Sequence, residues 1–339
     1  MRDLKYKIKF DATKKHEIII EDYERKEKSN SSEIFFAEEY EKAHGLVVGI
    51  LEAWEKNNSD NSGNQNGNPH NNIILFSGER GTGKTSAMRS FGKYLEKKGL
   101  AEEKFEKKNF ALLPMIDPSY FRKNENIVIN VIAVMFNEAK SIIKNVSKED
   151  GNYNYTKNAY NNLLRKYEEV FNDLKNMDEL KNNERSLEYL NELSDTTNLT
   201  DNIHTLIEEM LRFMANDKAK ATSAGHVMVL MIDDLDMNLS LAPMMLEQIR
   251  KFLMMKDLVI LISSNIEQFQ LEMEGYYGKT FTEKTDPATV SIHIEDMASK
   301  YLFKLFPPSR RIHVGSTAKK LLETQIEVIQ NANTEPKNK

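Results

Sequence analysis

The run Gly78-Glu79-Arg80-Gly81-Thr82-Gly83-Lys84-Thr85 fits the pattern G-x-x-x-x-G-K-T. Glycines in such a run let backbone N–H groups turn inward, and a helix that follows adds its unsatisfied N–H groups and positive dipole end, so phosphate oxygens are held from both. In a cradle made of Gly78, Glu79, Arg80, Gly81, Thr82, Gly83, Lys84, Thr85 and Ser86, the Lys84 ammonium bridges β- and γ-phosphates and the Thr85 hydroxyl reaches Mg2+. A second run, Asp233-Asp234-Leu235-Asp236, follows directly on the apolar stretch Val227 to Ile232. Carboxylates delivered to the C-terminal end of an apolar strand stand where open α/β sheets bind their ligands. Asp233 is the candidate for the Mg2+ shell, through water, and Asp234 for orienting or deprotonating an attacking water. Asp236 serves equally well as a cap for the following helix.

These residues need a sheet to bring them together, because Lys84 and Asp233 are 149 positions apart. Apolar runs at Ile73 to Phe76, Phe110 to Ile116, Val227 to Ile232 and Leu258 to Ile262 read as buried strands. Between them the spacing predicts helices at Ser86 to Lys98, stopped by a left-handed cap at Gly99, at Asn126 to Ile143 and at Pro243 to Met255. Strands that are apolar throughout and alternate with helices imply a parallel sheet covered on both faces. The polar, Leu-punctuated stretch 146–216 predicts inserted helices. Ahead of the sheet, Phe36 to Trp54 reads as an amphipathic helix with Phe36, Tyr40, Leu46, Val47, Ile50, Leu51 and Trp54 on its apolar face. Residues 1–35 hold an alternating stretch (Tyr6, Ile8, Phe10) and Ile18-Ile19-Ile20, read as two short strands or a loosely packed arm. In Asn57 to Asn72 eight of sixteen residues are Asn and none is a large apolar residue, which predicts a flexible loop.

From Asn72 to Val314 the chain resembles the additional-strand branch of P-loop ATPases, the AAA+ and STAND/KAP-like group. The resemblance implies a three-layer α/β P-loop NTPase with a parallel central sheet, binding ATP and Mg2+ and working as a homo-oligomeric ring. It relies on the phosphate loop, the acidic strand, and a strand ending Pro114-Met115-Ile116-Asp117-Pro118 that lies between the two in the chain. It also makes Asn265, after Leu258 to Ile262 and Ser263-Ser264, the candidate sensor of the γ-phosphate or its water, although Asn is also an ordinary turn residue. A helix from Asp296 to Phe306 leads to Pro307-Pro308-Ser309-Arg310-Arg311 and a short strand Ile312-His313-Val314. There the resemblance offers Arg310 or Arg311 as an arginine finger to the neighbouring subunit; two arginines paired with carboxylates in a surface turn is the other reading. Arg250, mid-helix, is a weaker candidate. The strings Ile116 to Phe121, Asp233 to Asp236, Leu246 to Leu253 and Ser263 to Phe269 look like bacterial antiphage ATPases of the RADAR type, whose partner is an adenosine deaminase. Members of that family are much longer, which implies an ATPase portion of a larger protein. A helix at Ser316 to Ile329 and a polar tail are too little for a complete C-terminal lid, and an Asp-Asp pair where many AAA+ proteins have Asp-Glu puts the hydrolysis rate in question. The organisation expected is thus an arm, helix and loop at 1–72, an ATPase domain at 73–315 with its insertion at 146–216, and a terminal helix and tail at 316–339.

Composition narrows the field without naming an activity. The 339 residues carry a net charge of -5 and no cysteine, which removes thiolate chemistry, disulfides and any global basic field for nucleic acid or an anionic membrane. The seven histidines show no ligand spacing, and His226 reads as structural. Burial accounts for most of Met228, Met231, Met237, Met244, Met245, Met254 and Met255. Lys93 to Lys108 mixes lysines with four glutamates and reads as a solvated face. No apolar run is long enough to span a bilayer and Met1-Arg-Asp-Leu-Lys-Tyr-Lys lacks an apolar signal core, so a cytoplasmic protein is expected. The competing functions are an ATP-gated regulator of a DNA transaction, for which no basic loop or helix-turn-helix is evident, a slow nucleotide-dependent assembly scaffold, and, least favoured, a small-molecule kinase. The 33 asparagines, with abundant Lys and Ile, suit an AT-rich bacterial genome.

Overall fold

The computed structural model describes residues 4–9, 36–59, 71–102, 105–121, 126–146, 153–180, 186–215, 225–237, 241–281, 287–315 and 324–329. In chain order the strands are β1 (Leu4–Lys9), β2 (Ile73–Ser77), β3 (Leu100–Glu102), β4 (Phe105–Leu112), β5 (His226–Ile232), β6 (Leu258–Ser264), β7 (Arg311–His313) and β8 (Thr324–Ile329). The helices are α1 (Ala37–Ser59), α2 (Lys84–Lys98), α3 (Ile127–Asn145), α4 (Tyr153–Leu180), α5 (Ser186–Ala215), α6 (Ala242–Gln248), α7 (Ile266–Phe281) and α8 (Pro287–Leu305).

The protein is an α/β fold whose sheet runs β3-β4-β5-β6-β2-β7, five strands parallel and β3 antiparallel at the edge. Side chains alternate across each strand, and here both faces are apolar. Ile74, Phe76, Val229, Met231, Val259 and Leu261 meet α1 and α2, with Phe91, Met88 and Trp54 among their partners. Ile73, Leu75, Met228, Leu230, Ile232, Leu258, Ile260 and Ile262 face the opposite layer, built from α3 to α8. The parallel sheet expected from the apolar runs is therefore present, with helices on both faces. The α1 helix buries Phe36, Tyr40, Val47, Ile50, Leu51 and Trp54 as its periodicity predicts, and the 146–216 stretch holds the antiparallel-length pair α4 and α5, packed on each other and on α3.

The strand that stands between β2 and β5 in the sheet is β6, which follows both in the chain; β4 lies between the two motifs in sequence, as expected, and outside β5 in space. Several other expectations need correction. β4 ends at Leu112, and beyond it only Ile116 returns, as an isolated bridge to Ile232. The helix expected from Pro243 to Met255 is α6 followed by a π-type turn, Ile249–Leu253. It stops because the next residues carry their carbonyls to Asn72 and the chain reverses at Asp257, whose φ is +62°. Two helices, α7 and α8, occupy the stretch in which only Asp296 to Phe306 was expected to be helical. Gly99 does end α2 with a positive φ of +61°, its N–H donating to the Leu95 carbonyl, but its ψ of -167° is not that of a left-handed cap.

At the termini, Leu4–Lys9 pairs in parallel with Thr324–Ile329, so the end of the predicted terminal helix is strand. The reason is local: Thr-Gln-Ile-Glu-Val-Ile alternates with period two and is rich in β-branched residues, which favours extended backbone over helix. Ile18 to Ile20 lies outside the described residues. The Asn-rich loop is also narrower than composition suggests. Its first residues, 57–59, finish α1, and its last two are ordered clamps. Asn71 donates from Nδ2 to the Leu305 carbonyl at 2.7 Å, closing α8, and Asn72, fully buried, donates to the carbonyls of Leu253, Met255 and Leu258 at 3.0, 3.1 and 2.7 Å.

Candidate functional site

Because β2, β4, β5 and β6 run parallel, their C-terminal ends lie along one edge of the sheet. The residues that leave that edge are Gly78, Asp117, Asp233 and Asn265. The loop after β2 turns through Gly81 at φ +82° and Gly83 at φ +90°, conformations that a side chain would strain. Gly78 is required for a different reason. A Cβ there would come within 2.6 Å of the Val314 carbonyl oxygen and 2.9 Å of Thr82 Oγ1. The Val314 N–H in turn donates to the Ser77 carbonyl at 2.8 Å, which ties the loop's first residue to β7.

Within the loop the Glu79 carbonyl is the hub. It accepts from Thr82 Oγ1 at 2.8 Å and from Lys84 Nζ at 3.0 Å, so the buried Lys84 side chain folds back across the loop. The side chains of Glu79, Arg80 and Ser86 are exposed. α2 opens at Lys84, and the first N–H to find an intrahelical carbonyl is that of Ala87, leaving Lys84, Thr85 and Ser86 with none. No acidic residue occupies this first turn to compete for the positive end of the helix.

The acidic strand reaches this loop directly. Thr85 Oγ1 donates to Asp233 Oδ1 at 2.9 Å across 148 residues of chain. Asp233 is buried and also accepts from the Ser263 hydroxyl. Asp234 follows with φ +44°, a left-handed conformation that Asp tolerates better than most residues. Burial, then the charges of Asp233 and Asp236, push the Asp234 carboxyl above its ordinary value, with Lys84 opposing. Raised proton affinity in a half-buried carboxylate is chemistry that a general base can use.

Asp236 is different. It is buried, and its Oδ2 accepts from the Asn265 backbone N–H at 3.2 Å while its carbonyl accepts from Gln268 Nε2 at 3.0 Å. It therefore fixes the start of α7 and does not face the loop as a second base. Asn265 caps α7, its Oδ1 accepting from the Glu267 N–H at 2.9 Å. That cap uses only the carbonyl half of the amide, so the Nδ2 donors are available for a ligand.

Gly78 to Ser86, Asp233, Asp234 and Asn265 are thus brought to one edge, as their sequence context predicts. Arg310 and Arg311 are not. Arg311 sits opposite Leu75 in the β2–β7 register, several residues below Gly78, and donates from Nε to the Phe306 carbonyl at 2.7 Å. One nitrogen of the Arg310 guanidinium, Nη1, is buried without a hydrogen-bond partner. Among the described residues neither arginine pairs with a carboxylate, and burial holds both guanidinium groups below their ordinary pKa. Arg250 is engaged within its own helix turn by Glu247, at 2.5 and 3.0 Å.

Sequence reasoning missed Ser263, Gln268 and Asn72. Each is a common polar residue at a strand or helix end, and nothing in the chain distinguishes it from a turn residue. Lys108, at the end of the lysine-rich stretch, is largely buried and pairs with Glu55 at 3.0 Å, and Met228, Met231, Met245 and Met255 are buried. Among the described residues no helix is long and apolar enough to cross a membrane, and no group of three or more His, Asp or Glu side chains is placed to hold a metal unaided.

The fold and this edge together define an α/β protein with five parallel strands in its sheet and a glycine-turned loop at its C-terminal side. Comparison with protein-family models finds no match, and comparison with curated proteins finds no significant relative.

Proposed function

We propose that the chain is a Mg2+-dependent ATPase of the P-loop kind, acting as an oligomer in which a neighbouring copy completes each site. The observation that carries this reading is the 2.9 Å contact between Thr85 and Asp233 beneath a loop turned by left-handed glycines. A hydroxyl that gives its hydrogen to a buried carboxylate keeps its lone pairs for a cation, which is the second-sphere arrangement a phosphate-bound divalent ion needs. Mg2+ held by the Thr85 oxygen and, through water, by Asp233 would neutralise charge on the β- and γ-phosphates. Because phosphates and water supply the remaining ligands in such a site, no all-protein metal cluster is required.

The chain's own groups then divide the work. The N–H groups of Lys84, Thr85 and Ser86 and the Lys84 ammonium bind the phosphate oxygens, Lys84 exchanging its bond to the Glu79 carbonyl for one to phosphate. Asp234, with its raised proton affinity, accepts a proton from the water that attacks the γ-phosphorus in line, and the β–γ bridging oxygen leaves with ADP. Asn265 Nδ2 donates to the γ-phosphate or to that water. Two parallel strands are separated by about 4.8 Å, so with β6 between them the axes of β2 and β5 lie roughly 10 Å apart, and the Thr85–Asp233 contact spans that interval from the helix side.

Arg310 and Arg311 lie away from the edge and, among the described residues, pair with no carboxylate, which supports a role toward a neighbouring copy. The setting in antiphage defence, with a deaminase partner, rests on the resemblance of short strings alone. The reading is tested with Asp234→Asn. It should bind ATP within about threefold of the parent and lose at least roughly a hundredfold in kcat, the scale of one lost general base. Retained turnover would remove Asp234 from the chemistry.

A further inference from the structure

Ser263 directly follows the apolar run Leu258 to Ile262 in a central strand and is fully buried. A hydroxyl in that slot is costly unless bonded, and an alanine would fill the strand without the cost. Its single hydrogen goes to Asp233 Oδ1, and a lone pair accepts the Asp234 N–H at 3.3 Å. Both partners are the carboxylate residues at the end of β5, and Ser263 reaches them from β6 because the register sets Ile262 beside Ile232.

We propose that Ser263 is a positioning residue that fixes both members of the acidic pair, so that use of Mg2+ depends on its hydroxyl while nucleotide affinity does not. The inference rests on the ATPase reading. Two donors, Ser263 and Thr85, converge on Asp233 Oδ1, and this fixes the carboxylate's rotation and leaves Oδ2 for the water shell of the ion. The bond from the Asp234 N–H holds the left-handed turn at φ +44°, and that turn sets the direction in which the Asp234 carboxylate leaves the strand. One hydroxyl therefore links the strand that ends in Asn265 to the strand that ends in the acids. The hydrogen bonds given for the Ser263 hydroxyl reach the loop through Asp233 and Thr85, on the metal side of the site, so the backbone N–H groups that would hold phosphate do not depend on it.

The test is the Mg2+ dependence of ATP turnover, measured beside ATP binding in EDTA. Ser263→Ala should raise the half-saturating Mg2+ about 10- to 100-fold, the range for losing an outer-shell partner, with metal-free ATP affinity within about twofold of the parent. Ser264→Ala, the neighbouring buried serine whose hydroxyl has no partner, should leave both unchanged. The isosteric pair Ser263→Thr and Ser263→Val guards against a folding defect, since only Thr keeps the hydroxyl. Thr should follow the parent and Val should follow Ala. Equal Mg2+ dependence in Thr and Val, or a parallel loss of metal-free ATP affinity in Ser263→Ala, overturns the proposal while leaving the ATPase reading intact. A parent chain without ATP turnover overturns the ATPase reading first.

Discussion

Asn72 offers a quantitative test of how the sheet edge is held. Its buried Nδ2 faces three main-chain carbonyls, those of Leu253, Met255 and Leu258. Its own carbonyl accepts the Ile260 N–H at 3.0 Å within the β2–β6 ladder. The residue thereby fastens the start of the loop strand to the end of the π-type turn and the start of β6. The amide carries two hydrogens, so the three contacts amount to two full bonds with one shared. At about 1 kcal/mol net for each bond, plus the cost of orphaning buried carbonyls, Asn72→Ala should destabilise by about 3 kcal/mol. For a chain of this size that lowers Tm by roughly 6 °C.

Asn72→Asp separates this account from a simple loss of packing. Its oxygens would face the same three carbonyls with no hydrogen to give unless protonated, so it should be less stable than Asn72→Ala at pH 8 and recover toward acid pH as the carboxyl protonates. Urea denaturation of the three proteins at two pH values is the assay. An Asn72→Ala protein within 0.5 kcal/mol of the parent, taking ~1 kcal/mol per bond as the yardstick, or an Asn72→Asp protein no worse than Ala at pH 8, would refute the reasoning.

Other outcomes follow from the same geometry. Gly78→Ala drives a Cβ to 2.6 Å from the Val314 backbone oxygen and should cost about 1–3 kcal/mol and weaken ATP binding at least tenfold, whereas a Cβ at Gly81 meets nothing within 4 Å and strains only the backbone; thermal shifts with and without ATP compare them. Burial, and then the charge of Asp236, raises the Glu272 carboxyl to about 8. An acid whose folded pKa lies above its unfolded one gains a proton on folding, so its contribution is present below the ordinary carboxylate range and is lost as pH rises through about 8. Tm should therefore fall between pH 6 and 9, and Glu272→Gln should flatten that fall; an unchanged slope refutes the assignment. If Arg310 or Arg311 serves a neighbour, mixing Lys84→Ala chains with chains lacking that arginine should restore turnover that neither has alone, and no recovery in mixed assemblies argues against shared sites.

The parts legible in the sequence are those fixed by local pattern. The glycine spacing announces a tight turn through Gly81 and Gly83 into a helix that opens at Lys84, and uninterrupted apolar runs announce strands buried on both faces. Strand order was not legible: nothing in Leu258 to Ile262 says that it inserts between β2 and β5, since that order is set by the packing of both helical layers at once. Composition misled at Asn71 and Asn72, where residues that look like the end of a polar loop are amide clamps on distant carbonyls. Asp236 reads equally as a further site acid or as a structural cap in the chain, and its bonds to Asn265 and Gln268 show it anchoring the start of α7. The C-terminal stretch Thr324–Ile329 follows its alternation into a strand.

The most direct measurement is phosphate release from ATP by the purified chain and by Lys84→Ala, across a series of protein concentrations, with Mg2+ and with EDTA. The account predicts Mg2+-dependent turnover that rises per chain as the protein assembles and falls at least roughly a hundredfold in Lys84→Ala. Turnover that is indifferent to Lys84, or that persists in EDTA, would contradict it.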